Sequence, residues 1–280
     1  MNASLSFNPV TDFNQVVTYP FMVHALEAGT IVAVLCGVAG WYMVLRRQSF
    51  AGHTLSVMAF PGATGAALVG LPISLGYYIA AGVAALAIGR GRARSYATET
   101  ASVGTVQTVG LAAGFLFLEL NRNVLGGPET LLFGTFLGVS QGQVVGLLAV
   151  ALIALALVAV IGRPLLFASV DPDVARARGV PVRALEITFL AILGLAVAAT
   201  SQITGVLLIF ALLVAPAAAA QRLSMRPGIG LALSIVFALV IAWLGLGVAY
   251  FSIYPVGFWM TTFGFGLYVL VRIVRARVRP

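Results

Sequence analysis

The chain has 280 residues, of which 61% are hydrophobic and only 9% are charged. Globular domains run at roughly 45–50% apolar and about 25% charged. There is too little polar surface here for a water-soluble fold, and disorder, which requires low hydrophobicity, is excluded with it. The formal charge of +8 comes from sixteen arginines, without a lysine, against eight acids. In an integral membrane protein such an excess marks cytoplasmic loops rather than a nucleic-acid partner.

A bilayer core about 30 Å thick takes roughly 17–25 apolar residues per helix. Cut at arginines, prolines and polar clusters, the chain predicts an all-α, polytopic membrane fold of nine spans: 20–45, 52–70, 73–89, 97–118, 143–162, 184–201, 204–221, 229–250 and 256–273. The runs are continuous rather than alternating over about ten residues, which argues against a β-barrel. Residues 1–19 carry neither a basic n-region nor a small-residue cleavage site and read as a short external tail. Residues 20–280 read as a single transmembrane domain. Within it, the apolar piece 131–139 is too short to cross and predicts a half-helix.

The arginines set the orientation. Arg46 and Arg47 follow span one; Arg90, Arg92 and Arg94 follow span three. Arg163, Arg176, Arg178 and Arg183 lie between spans five and six, Arg222 and Arg226 after span seven, and Arg272, Arg275, Arg277 and Arg279 at the end. Only Arg122 follows an even-numbered span, so the positive-inside rule places the N-terminus outside and the C-terminus in the cytoplasm. Tyr19, Phe21, Tyr77, Tyr78, Tyr250, Phe251 and Tyr254 then fall at the external interface, as an aromatic belt does.

The cytoplasmic segment 163–183 predicts a short helix punctuated at both ends. Asp171 caps it, accepting from orphan backbone N–H groups, and Pro172 takes the first position, where its missing donor costs nothing. Asp173 in the first turn and Arg176 and Arg178 in the last complement the helix dipole. Gly179 ends the helix and Pro181 keeps it from resuming. Two spans can be joined by far less, as Leu71-Pro72 illustrates, so a stiff exposed helix predicts a docking element for a soluble partner.

Span two carries Pro61-Gly62 at its centre, and span seven carries Pro216 before a run of alanines; both predict bends. Gly62, Ala66 and Gly70 form a small-residue stripe for close helix approach. In span four, Thr98, Ser102 and Thr105 share a face expected to turn towards the bundle or a hydrated path. Glu186 lies three residues beyond Arg183, so a local ion pair is expected. His24 and Glu27, three apart on span one, are spaced for shared coordination; at about 28 Å from Arg46 they would mark the external mouth of a path. The remaining ionisable group is His53, early in span two. An intramembrane ionisable residue is costly, and neutral imidazole is a common metal ligand. One histidine cannot hold a metal, whereas a two-fold axis beside span two would bring a pair together.

The stretches VLRRQSFAGHTLSVMAFPGATGA (44–66), FASVDPDVARARGVPV (167–182) and QITGVLLIFALLVAPAAAAQRL (202–223), with the weaker ETASVG (99–104) and LLFG (131–134), occur in a specific order. On them the chain resembles the permease subunits of ATP-binding-cassette importers for zinc, manganese and iron, nearly end to end. The resemblance implies a homodimer of permeases in the cell membrane, two cytoplasmic ATPase subunits seated on the 171–179 coupling helix, and an external metal-binding lipoprotein. It implies a divalent metal as cargo and no permanently bound cofactor. It also implies a metal-ligand pair, an Asp and a His four residues apart in span two; here those positions are His53 and Val57, and valine cannot coordinate. Two imidazoles without a carboxylate favour zinc over manganese.

The expected function is thus an importer permease working by alternating access, with no nucleic-acid partner and no covalent chemistry of its own. A secondary transporter using His24, Glu27 and His53 as relay groups would leave the capped 171–179 helix unexplained. A membrane-embedded enzyme lacks support, since there is neither an intramembrane aspartyl pair nor a His-Glu-x-x-His motif. An importer of a metal chelate or other small solute would accommodate Val57.

Overall fold

The computed structural model describes residues 18–90, 96–121, 134 and 136–278, together with Gln15. Among these residues there are eleven α-helices and no strand. In lipid every backbone N–H and C=O must be satisfied within its own segment, and continuous apolar runs therefore fold as helices. The helices are α1 (Pro20–Leu45), α2 (Ser49–Val57), α3 (Ala59–Leu68), α4 (Ile73–Arg90), α5 (Tyr96–Leu120), α6 (Gln141–Val170), α7 (Pro172–Ala177), α8 (Val182–Thr204), α9 (Val206–Leu223), α10 (Pro227–Tyr250) and α11 (Val256–Val278). A 3-10 turn, Phe136–Gly138, is the described helical part of the expected half-helix. Arg92, Arg94, Arg122, Arg279 and most of 1–19 and 131–135 lie outside the described residues.

Seven of these helices are long and apolar enough to cross a membrane: α1, α4, α5, α6, α8, α10 and α11. They correspond to seven of the nine expected spans, and the protein is a multi-pass membrane protein. The other two expected spans are helical as well. Span 52–70 is divided into α2 and α3, of 9 and 10 residues, with Met58 between them. Proline at 61 has no N–H for the carbonyl of Val57 and its ring crowds that oxygen. The break therefore falls three residues before the proline rather than at Pro61-Gly62. Span 204–221 is α9, 18 residues with Pro216 inside it.

Two further boundaries differ from expectation. Helix α6 does not stop at Arg163-Pro164 but runs 30 residues with Pro164 inside. At 1.5 Å per residue it is about 45 Å long, so its last turns pass beyond the apolar core. Helices α8 and α9 are separated by Gly205 alone, whose φ of 75° and ψ of 164° lie in a region essentially reserved for glycine. A Cβ on Gly134 would collide with the backbone of Thr204 and Gly205, so a second glycine guards the same break. Gly205→Ala is expected to destabilise the protein by about 1–3 kcal/mol. Thermal unfolding of the detergent-solubilised variant would read this as a lowered Tm.

The chain divides into two compact units. One holds residues up to Trp41, 135–149 and 211 onward. In it Gly40 lets α1 meet the Leu213 carbonyl region of α9, and Gln221 donates to the Trp41 carbonyl at 2.8 Å. Ser234 of α10 donates to the Gly37 carbonyl, also at 2.8 Å. The other unit holds residues 42–134 and 150–210. Its core gathers Val57, Phe60, Ala63, Tyr77, Ala81, Ala198 and Val206. Gly62 and Gly76 face each other so closely that a Cβ on either would strike the other's carbonyl. Backbone proximity of this kind is what small residues provide where lipid removes the hydrophobic drive for helix association. Gly62 and Ala66 act in this α3–α4 crossing. Gly70 does not belong to the stripe; it stands past the end of α3 at φ 71° with open space around its Cβ position.

Candidate functional site

His53 stands in the first turns of α2, half-buried, with its ring edge-on to Phe210 at 4.7 Å between centroids. Its Nδ1 is buried and has no hydrogen-bond partner. A ring-edge contact does not satisfy that nitrogen, and an unpaired buried polar atom is costly. The neighbouring hydroxyls are engaged: Thr54 donates to Gln107 Oε1 of α5 at 3.0 Å, and Ser56 donates back to the Gly52 carbonyl at 3.0 Å. Val57, where the resemblance expects a second ligand, is 6% exposed and belongs to the apolar core with Phe60 and Tyr77. Position 57 has thus been given over to packing. Among the described residues no group of three His, Cys, Asp or Glu gathers anywhere.

His24 is half-buried and Glu27 exposed on α1. No hydrogen bond or ion pair between the two is found. Glu27 borders a groove of about 580 Å³, otherwise mainly apolar, with Val23, Leu26, Ile31 and Trp243. In span four, the side chains of Thr98 and Glu99 are outside the described residues. Thr105 and Thr108 do not face the bundle: both are exposed and donate to carbonyls on their own helix, Ala101 and Gly104, at 2.9 Å. Such back-bonding satisfies a threonine hydroxyl without a partner helix. Gln107, on the opposite side of α5, accepts from Thr54 and links α5 to α2.

The 171–179 segment forms as its residues dictate. Asp171 adopts an extended conformation, and its Oδ1 accepts from the N–H groups of Asp173 at 3.1 Å and Val174 at 3.0 Å. Pro172 opens α7, and Asp173 is paired with Arg176 at 2.5 Å. The helix ends at Ala177, so Arg178 is its C-terminal cap rather than part of the last turn. Gly179, at φ 78°, donates to the Arg176 carbonyl while Val180 donates to that of Ala175, the paired bonds of a Schellman motif. Ala175 is fully buried, whereas its neighbours on α7 are exposed. The helix is anchored by one small side chain and presents the rest.

Behind α7 lies a network with no local sequence signal. Glu186 is 5% exposed, and it is not paired with Arg183. Its carboxylate accepts from Gln48 at 3.1 Å and lies 3.6 Å from the Arg46 guanidinium, whose side chain is 6% exposed. Arg46 also donates to Ser169 Oγ at 3.0 Å and stacks over Phe189 at 5.7 Å. The cluster joins the end of α6, two residues before Asp171, to the residue preceding α2 and to the first turns of α8. Gln48 and Glu186 are 138 residues apart, which is why only the fold reveals them.

The turn between α1 and α2 carries a second unforeseen feature. Arg47 and Gln48 donate to the carbonyls of Val44 and Met43, again a Schellman arrangement, with Arg47 in the left-handed position at φ 56°. Glycine is the usual occupant there, and another residue costs about 1–2 kcal/mol. Arg47 is the one non-glycine with positive φ among the described residues.

With this geometry in place, relatives can be compared. The chain is 31% identical over 241 residues to the manganese transport system membrane protein MntC of Halalkalibacterium halodurans, covering 86% of this chain and 82% of that one. It is 29% identical to the chelated iron transport system membrane protein YfeC of Yersinia pestis, covering 86% and 80%. Its fold resembles a chain of PsaBC from Streptococcus pneumoniae solved in complex with Fab, with a TM-score of 0.82 at 24% identity over 94% of each chain. The profile of the ABC 3 transport family matches residues 18–275, almost the whole chain, and the protein belongs to that family.

Proposed function

We propose that this chain is the permease subunit of an importer for a divalent transition metal, manganese or iron, driven by a separate cytoplasmic ATPase and supplied by an external metal-binding lipoprotein. The observation that carries the reading is the 31% identity to a manganese transport membrane protein across most of both chains. Two permease copies form the path, each giving one His53; the unpaired Nδ1 of that residue is what supports a ligand role. The N-terminus lies outside and the C-terminus in the cytoplasm, following the arginines. His24 and Glu27 flank the external entrance, while the interruption of span two near Pro61-Gly62 and the Pro216 of α9 supply the points of bending. Helix α7, with Asp171, Pro172, Asp173, Arg176, Arg178 and Gly179, seats on the ATPase. Movement of α7 opens the path to one side at a time, and the cargo is held only transiently, since a tight site stalls release.

A second reading keeps the family and changes the cargo. Val57 lies in the apolar core, leaving one ligand per chain from this motif, and a relative at 29% identity is named for chelated iron. A chelate brings its own ligands and would not need a carboxylate at 57. Uptake in cells stripped of their own manganese and iron importers, supplied with either free radiolabelled ion or its chelate, separates the two. Free-ion uptake is expected, and His53→Ala is expected to lower it by about 10–100-fold, the range seen when a metal site loses a supporting group. Unchanged uptake in that variant removes His53 from the path, and wild type that takes up neither form overturns the reading.

A further inference from the structure

A polar cavity of about 770 Å³ lies between the end of α1, the end of α6, α7 and the start of α8. Arg46, Arg47, Arg176 and Arg183 line it with a single carboxylate, that of Glu186. Arg46 holds Glu186, and Arg176 holds Asp173. The guanidiniums of Arg47 and Arg183 are exposed, and among the described residues neither has a hydrogen bond or ion pair. The first turn of α8, which borders the cavity through Val182 and Arg183, has no side-chain cap. Four guanidiniums therefore converge here against the carboxylates of Glu186 and Asp173, an excess of fixed positive charge. Arg47 reaches this cavity from a backbone position that favours glycine, and strained residues of this kind concentrate at ligand-binding sites.

We propose that this cavity binds the headgroup of an anionic phospholipid. The choice of an amphiphile over a soluble anion rests on the cavity's edge. Val170, which lines it, is 73% exposed; with Phe167 it leads along α6, past the exposed Arg163 on the same face, to an apolar stripe of exposed Val160, Leu157 and Ile153. An acyl chain lying along that stripe places its phosphate beside Arg47 and Arg183. Basic pockets between transmembrane helices take anionic headgroups for the same reason. The site adjoins α7, so the lipid would brace the segment proposed to seat the ATPase, but binding is independent of what the permease carries.

The test uses the full-length chain in detergent, with lipid binding followed by native mass spectrometry and by thermal stabilisation. Phosphatidylglycerol, phosphatidylcholine and inorganic phosphate are the probes. The key variant is Arg47→Gly combined with Arg183→Ala; Arg47→Gly alone removes the guanidinium while giving the left-handed position its preferred residue, so it is expected to melt no lower than wild type. Wild type is expected to retain and be stabilised by phosphatidylglycerol at least about tenfold more tightly than by phosphatidylcholine, and the double variant to lose that preference. Arg226→Ala, outside the cavity, is expected to keep it. Equal binding of the two lipids, or an undiminished preference in the double variant, overturns the proposal. Inorganic phosphate competing as well as the lipid identifies a soluble-anion site instead and equally overturns it. So does loss of ATPase association in the double variant with lipid binding intact, which would assign the cavity to a partner's carboxylate.

Discussion

Glu186→Ala is expected to be the most destabilising single substitution in the cluster behind α7. It leaves the Arg46 guanidinium, 6% exposed, without the carboxylate beside it, and strands Gln48, 4% exposed, without its acceptor. Removing one member of a buried ion pair costs about 3–5 kcal/mol, because the remaining charge stays desolvated. Thermal unfolding of the solubilised protein should record a large drop in Tm. The double substitution Arg46→Met with Glu186→Leu removes both charges and should recover most of the loss, since apolar replacement of a whole buried pair is often neutral or better. Transport discriminates further. The cluster ties Ser169, just ahead of α7, to the start of α2, where His53 resides. The double variant is therefore expected to fold but to import poorly; full import by it would reduce the cluster to packing.

The second large effect concerns α7. Asp171→Lys removes the acceptor for two backbone N–H groups and sets a positive charge at the positive end of the helix dipole. Loss of such a cap costs about 0.5–2 kcal/mol, enough to melt a six-residue helix held by one buried alanine. Gly179→Val acts at the other tip, forcing a β-branched residue to φ 78°, where only glycine is at ease. Both variants should retain the Tm of the membrane-spanning body, because α7 contributes only Ala175 to the buried interior. Both should nevertheless fail to co-purify the ATPase and fail to import. Normal co-purification with either variant would show that docking does not depend on this helix.

The contrast between these two regions explains what was legible in the sequence. Helix α7 is written in local terms, a capping aspartate, a proline at the first position and a glycine past the end, and the hydrogen bonds follow that grammar to within one residue. The long spans are legible because an apolar run in lipid has one way to satisfy its backbone. Pro61 announces a break and chemistry sets its place, three residues upstream at Met58, just after the Val57 carbonyl it cannot serve. The helix through Arg163-Pro164 was obscured because one exposed arginine and one proline resemble a loop, whereas the apolar LLFASV beyond them sustains the helix. Glu186 was mispaired because a neighbour three residues away is visible in sequence, and Arg46, on another helix end, is not. The left-handed Arg47 was illegible for a similar reason: turn chemistry anticipates glycine there. In span two, His53 was identifiable as an ionisable residue out of place, while the burial of Val57 among Phe60 and Tyr77 became clear only from the packing.

The central claim is that this chain supplies the path and another protein supplies the work. The direct measurement is radiolabelled manganese accumulation in proteoliposomes containing the permease with or without its ATPase and metal-binding protein. Accumulation is expected only with the full set of partners and ATP, and not when a proton or sodium gradient is imposed on vesicles holding the permease alone. Uphill accumulation by the permease alone, driven by such a gradient, would contradict the account.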